Sequence, residues 1–228
     1  MGLVPANPAG GPVRSAGQHP FQVPTAGLTI RAALGQHRGS AYAVTALLDP
    51  LTAYTLLGLP LPEIAGSVVE LSDLLSPGEY REMAALRRAA DWPARFAAAN
   101  RLLLARHERG PRPAPEVLSA WHDLHTCAGQ IPIARLARNV GWSERQLQRR
   151  FREQIGLTPK AVARAARLHH ALHLLRLGRP VAEAAYRSGY CDQAHFTNDC
   201  KALTGLTPRQ LSSLPCGEPG TPVPPPAP

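Results

Sequence analysis

The 228-residue chain has only four cysteines (Cys127, Cys191, Cys200 and Cys216), with no CxxC pair and no regular spacing. That argues against a disulfide framework or a cysteine-based metal centre and leaves reduced thiols as the expectation. No run of about 18 apolar residues occurs, and Met1–Phe21 holds no apolar segment of the kind that directs export. A soluble, cytoplasmic protein with no membrane contact is expected. Also missing are a Ser/His/Asp arrangement, a Gly-rich phosphate loop and paired carboxylates. An enzyme has nothing to stand on, and neither a catalytic residue nor a cofactor is expected.

What is present is positive charge, and its placement matters more than its size. The chain carries 25 Lys+Arg against 16 Asp+Glu, a formal net of +9. Between His125 and Leu214 lie 14 basic and 5 acidic residues, which is the whole excess; the remainder holds 11 of each. A basic segment beside a neutral one is the pattern of a polyanion-binding module. Anionic membrane or an acidic protein would satisfy the charge as well as nucleic acid does.

Residues 1–20 are rich in Gly and Pro without periodicity and are expected to be disordered, as is the Pro-rich tail at 215–228. Phe21–Thr25, Leu28–Leu34 and Ala41–Leu48 are short, apolar, partly β-branched and separated by Gly-containing turns, which predicts strands. Three strands do not make a covered sheet, so this region reads as part of a larger β-structure. From Asp49 the pattern turns helical. Asp49-Pro50 caps Leu51–Leu57, with Gly58 as the stop. Ser76-Pro77-Gly78-Glu79 is a capping box for a helix to about Ala90. Asp91-Trp92-Pro93 opens a third, with Phe96, Asn100, Leu103, Leu104 and His107 at helical spacing. The stretch 109–115, with three prolines, predicts a linker between an N-terminal α+β domain (21–108) and a helical domain (116–214).

The helical part repeats. Ile133–Trp142 aligns with Val181–Tyr190 at an offset of 48, each copy reading apolar–Ala–x–apolar–Ala and then Gly-aromatic. Small Ala137 and Ala185 let a second helix cross closely, and Gly141 and Gly189 supply the positive φ of a tight turn. In the first copy Ser143 caps the helix Glu144–Ile155, whose apolar stripe is Leu147, Phe151 and Ile155. At 100° per residue the opposite face carries Arg145, Gln148, Arg149 and Arg152. Guanidinium forks and an amide on one face suit guanine and adenine edges and phosphates. A solvated charged face is the bland alternative; the helix-turn-helix pattern ahead of it and the second copy behind it favour DNA. The second copy has Phe196, Cys200 and Leu203 inward and Ala194, Thr197, Asn198 and Lys201 outward, after Gln193 at its start. It has no arginine there. Thr158-Pro159 opens a long helix to Leu177, with Val162, Ala165, Leu168, Leu172 and Leu175 on one face. This spacer would hold two reading heads about 34 Å apart, on one side of a duplex. The fold class expected is therefore mainly α: two helix-turn-helix units joined by a long spacer helix, preceded by a small α+β domain.

Taken together, the two Gly-aromatic turns, Leu147-Gln148-Arg149-Arg150-Phe151, Asp192-Gln193-Ala194-His195-Phe196, and the twice-occurring Gly-Leu-Thr-Pro (Gly156–Pro159, Gly205–Pro208) resemble the DNA-binding domain of the AraC/XylS family of transcription regulators. The resemblance covers Pro115 to Leu214. It implies seven helices, monomeric binding to adjacent major grooves of double-stranded DNA, and activation through RNA polymerase. Asn198 stands where the family commonly has Arg, and Cys200 where it commonly has Phe, which implies a weaker second reader and a slacker core. Leu51–Gly58 and Val68–Leu71 resemble the family's regulatory domain, which often carries a cupin-like barrel that binds a small-molecule effector. Only the last strands of such a barrel fit here. Whether the chain forms a homodimer is left open.

Three further groups carry metal-binding or reactive side chains. His122, His125 and Cys127 lie close in sequence, but the helix that carries them has Val117, Leu118, Trp121 and Leu124 as a core stripe. His169, His170 and His173 form a second cluster, but His169 and His173 flank the apolar stripe of the spacer helix and no carboxylate lies within its span. Helix surface is the plainer reading of both, and no metal is expected. DNA-repair methyltransferases that share this domain type use a reactive cysteine; Cys127 or Cys191 would have to serve, without a metal-rich context. A truncated interaction protein is the third class.

Overall fold

The computed structural model describes residues 24–29, 46–89 and 91–213. Local sequence signals account for most helix starts. The Asp49 carboxylate accepts from the Leu51 and Thr52 amides (3.1 and 3.0 Å) and opens α1 (Pro50–Leu57), which ends on Gly58 at φ 69°. Ser76 and Glu79 form the reciprocal capping box of α2 (Pro77–Arg88). Asp91 caps α3 (Trp92–Arg109) through the Ala94 amide, 2.8 Å.

Among the described residues the β structure is one short pair of strands. Two three-residue strands, β1 (Pro24–Ala26) and β2 (Val68–Glu70), pair antiparallel with Thr25 opposite Val69. Part of the strand expected at Phe21–Thr25 is thus present, with Ala26 added. Of the strands expected at Leu28–Leu34 and Ala41–Leu48, the described residues (Leu28, Thr29 and 46–48) are not strand, and the rest lie outside the described residues. β2 was not expected, because three residues are too few to show alternation. The N-terminal helices are held by Arg106. Its guanidinium pairs with Glu79 (Nε to Oε1, 2.7 Å) and donates to the Leu56 and Leu74 carbonyls, both 2.8 Å. These bonds hold the Glu79 carboxyl down at about 2. On α3 the packed residue is Leu102, whereas Phe96 and Leu104 face solvent.

Among the described residues seven further helices follow: α4 (Pro115–Thr126), α5 (Ile133–Asn139), α6 (Glu144–Ile155), α7 (Pro159–Arg176), α8 (Val181–Arg187), α9 (Gln193–Thr204) and α10 (Pro208–Ser213). They enclose two cores. The first is built on Val117, Ala120, Leu124, Leu136, Ala137, Leu147, Phe151 and Ile155; the second on Ala185, Tyr190, Phe196, Cys200, Leu203 and Leu211. α7 serves both, giving Val162 and Ala163 to the first and Leu168, Ala171 and Leu172 to the second. The molecule is mainly α, with two helix-turn-helix units on one spacer helix. On α4 the expected stripe shifts: Leu118 is 44% exposed and Ala120 is buried in its place. Ala120 lies three residues from Val117 and four from Leu124, on their face of the helix, whereas Leu118 is turned about 100° away.

The neutral N-terminal part is pressed against the first unit. Leu51 of α1 belongs to the first core. In the proline-rich stretch, a Cβ on Gly110 would sit 1.9 Å from the Thr55 carbonyl oxygen. Gln154, buried at the end of α6, accepts from the Ala114 amide at 2.9 Å, so the start of α4 is fixed on α6.

Candidate nucleic-acid interface

The first unit turns from α5 into α6 through Gly141, at φ 72° with open space around it. The Ser143 hydroxyl accepts from the Gln146 amide (3.2 Å) and fixes where α6 begins. Leu147, Phe151 and Ile155 are fully buried. Arg145, Gln148, Arg149 and Arg152 are all exposed, on the face expected from the 100° rotation. Among the described residues, none of these arginines has an acid within ion-pair distance, nor do Arg135 and Arg138 on α5. Arg150, one step round the helix, is half-buried and paired with Glu153 at 3.1 Å. Four cationic or amide groups on one helix face, with no acidic partner among the described residues, can donate to phosphates and to base edges. At the C-terminal end of the same face, Arg152 borders an open cavity of about 290 Å³ lined also by Leu28, Pro62, Gly156 and Leu157.

The second unit has the same frame and a different surface. Gly189 takes φ 76°, and the Asp192 carboxylate caps α9 through the His195 amide at 2.7 Å. Gln193, Ala194, Asn198 and Lys201 are exposed, and Thr197 is half-buried. Phe196 and Cys200 are fully buried and Leu203 nearly so. Cys200 fills its place with a polar contact, its thiol donating to the Leu206 carbonyl at 3.3 Å. Burial pushes that thiol up to about 11, so it stays protonated.

The residue that sequence reasoning passed over is Asp199. It lies on the inward side of α9, where it pairs with Arg164 of α7 and accepts from the Tyr190 hydroxyl at 3.0 Å. Tyr190 is itself buried, and burial together with the Asp199 charge raises its pKa. The signal was available: an acid three residues after Phe196 and four before Leu203 sits on an apolar stripe and requires a partner. Two cations of this unit share one acid, whereas Lys201 and Arg209 have none within ion-pair distance among the described residues. Glu183 takes Arg187 at 3.0 Å and lies 4.0 Å from Arg179.

The histidines of α4 and α7 are surface and packing groups. His125 packs against Trp121 with ring centroids 4.3 Å apart and the rings tilted by 57°, and His122 lies 3.3 Å from the Thr126 hydroxyl. His170 meets the buried Ser188 hydroxyl at 3.0 Å, while His169 and His173 are exposed. Partial desolvation of the rings against their helices, and then neighbouring positive charge, hold His125 and His169 below the usual imidazole range. Cys127 and Cys191 are exposed thiols. Among the described residues, no helix is long and apolar enough to cross a membrane.

A family model described as a helix-turn-helix domain matches residues 136–213. The HTH-type transcriptional regulator GlxA of Rhizobium meliloti (strain 1021) is 35% identical over 131 residues, 55% of this chain and 40% of its own. The HTH-type transcriptional activator RhaS of Escherichia coli (strain SE11) is 33% identical over 96 residues, 42% of this chain and 34% of its own. Of solved structures, the C-terminal domain of AraT, a response regulator from Geobacillus stearothermophilus, aligns with a TM-score of 0.43 at 23% identity, over 49% of this chain and 94% of that one. The chain thus spans well under half the length of these curated relatives.

Proposed function

We propose, from the premise that residues 136–213 are a helix-turn-helix domain of the AraC type, that this chain binds double-stranded DNA in a sequence-specific way and regulates transcription. The observation that carries the reading is the exposed face of α6, where Arg145, Gln148, Arg149 and Arg152 stand without an acidic partner among the described residues. With α6 in a major groove, a guanidinium addresses guanine O6 and N7 as a fork, and Gln148 addresses adenine. Arg135 and Arg138 on α5 fall where the first helix of such a unit crosses the phosphate backbone. α9 enters the next groove with Gln193, Ala194, Thr197, Asn198 and Lys201, and its contribution is the weaker.

Residues 116–214 are taken as the DNA-binding domain and 21–108 as the regulatory part, with 109–115 between them. In this reading the bound protein activates transcription in the cytoplasm by recruiting RNA polymerase. A small-molecule effector would act through the N-terminal part, which touches α6 directly. No catalytic step belongs to it.

Selecting bound fragments from a genomic pool with the full chain, then titrating the best duplex with salt, tests the proposal. Enrichment of a common sequence is expected. Affinity should fall on the order of 10³-fold between about 50 and 200 mM salt, since several arginine–phosphate contacts release counterions. Absence of enrichment, or a flat salt response, overturns it.

A further inference from the structure

The two turn glycines, equivalent in the repeat, differ in their surroundings. Around Gly141 there is open space; a Cβ on Gly189 would instead lie 3.1 Å from Cγ and 3.2 Å from Oε1 of Gln130. Gln130 belongs to the connection between α4 and α5, in the first unit. It reaches across to the second, where its Nε2 donates to the Arg187 carbonyl at 3.0 Å. That carbonyl is the last of α8, one of those a helix end leaves without an internal partner. Gln130 is itself held from behind. Its amide donates to the Cys127 carbonyl (2.9 Å), and Gly129, at φ 71°, lies so close on α7 that a Cβ there would be 2.0 Å from the Ala163 carbonyl oxygen. The position 48 residues further on is Gly178, which has no side chain, so the second unit makes no return contact of this kind.

We infer that Gln130 is a positioning residue, a clasp that together with α7 fixes the orientation of the two helix-turn-helix units and so the half-site spacing that the protein accepts. α7 passes from one core to the other through the half-buried stretch 164–167, and a single helix resists stretching better than bending. The Gln130 contact lies off the α7 axis and ties the units a second time. Two linked binding modules gain from each other in proportion to an effective concentration, which is highest when their geometry matches the spacing of the sites. A tight clasp therefore rewards one spacing and penalises others. The DNA half of this inference rests on the function proposed above; the clasp itself does not.

The test has a readout for each half. Spin labels at Gln146→Cys and Ala202→Cys, both exposed, report the distance between α6 and α9 by pulsed dipolar spectroscopy of the full chain, with Cys127, Cys191 and Cys216 replaced by Ser. Gln130→Ala should broaden the distance distribution at least about twofold, and Gln130→Arg, which keeps a donor, should restore much of it. On the selected duplex, inserting one base pair between the half-sites should cost the wild type about tenfold and Gln130→Ala under about threefold, with binding to the first half-site alone unchanged. An unchanged distance distribution in Gln130→Ala overturns the clasp whatever the chain does on DNA. A broadened distribution with the same spacing penalty in both proteins overturns its role in recognition. A broadened distribution with no duplex selected by the wild type upholds the clasp and overturns the DNA reading.

Discussion

The two helix-turn-helix units share a frame and differ in how their charges are used. In the first, α6 is fixed by apolar burial of Leu147, Phe151 and Ile155, and its outward arginines are unpaired among the described residues. In the second, α9 buries Phe196, Cys200 and Leu203 and adds the Arg164–Asp199–Tyr190 group, while Glu183 engages Arg187 and, at longer range, Arg179. Formal charge therefore overstates what the second unit offers to a polyanion. A cation bonded to an acid must give up that bond or share it before it can meet a phosphate. The first unit is built to contact, and the second is built largely to stay together.

The sharpest way to break this comparison is to remove the ionic lock. Asp199→Ala leaves the buried Tyr190 hydroxyl and the one-third-exposed Arg164 without their acceptor, and should cost about 3 kcal/mol in denaturant unfolding, the upper range for stranding a buried donor. The matching change in the first unit, Glu153→Ala, touches a half-exposed pair and should cost under about 1 kcal/mol. Equal losses would mean that the second unit does not depend on polar contacts more than the first.

Next in size is the attachment of the N-terminal part. Its neutral composition gives it little to offer a phosphate, yet Leu51 lies in the first core at 7% exposure. Leu51→Ala should destabilise the chain by about 2–3 kcal/mol, the lower range for truncating a buried leucine. A loss below about 0.5 kcal/mol would show that α1 merely lies on the first unit. That result would also weaken the route by which an effector could reach α6.

How legible this was depended on the range of the signal. Caps at Asp49, Ser76, Asp91, Ser143 and Thr158 act within three residues, and each starts a helix where the sequence places it; Asp192 starts α9 in the same way. The α6 face followed from rotation alone, because Phe151 and Leu147 leave only one side for the arginines. Partners distant in sequence were not legible. Asp199 could be suspected from its place on an apolar stripe, but nothing in the sequence names Arg164 as the residue that meets it. The same holds for Gln154 and the Ala114 amide, and for Gln130 and Arg187. The proline-rich stretch 109–115 reads as a spacer by composition, whereas the fit of Gly110 against Thr55 depends on a fold the composition does not encode. β2 was invisible because a three-residue strand carries no periodicity.

The finest test compares residues alike in charge. Arg149 and Arg150 are adjacent, identical in type and about 100° apart on α6. Arg149 is exposed and unpaired among the described residues; Arg150 is half-buried against Glu153. If base reading belongs to the exposed face, Arg149→Ala should cost about 1–3 kcal/mol on the selected duplex and blur the preference at one base pair. Arg150→Ala should cost under about 1 kcal/mol and leave the preference intact, since its guanidinium already serves a carboxylate. Asn198→Ala should also cost less than Arg149→Ala, because an amide in the second unit replaces a charged fork. Affinities on selected and scrambled duplexes separate the outcomes. Equal losses at Arg149 and Arg150 would mean that charge rather than position governs the first unit. A dominant loss at Asn198 would reverse the comparison, making the ion-paired second unit the reader and the arginine-rich first unit the anchor.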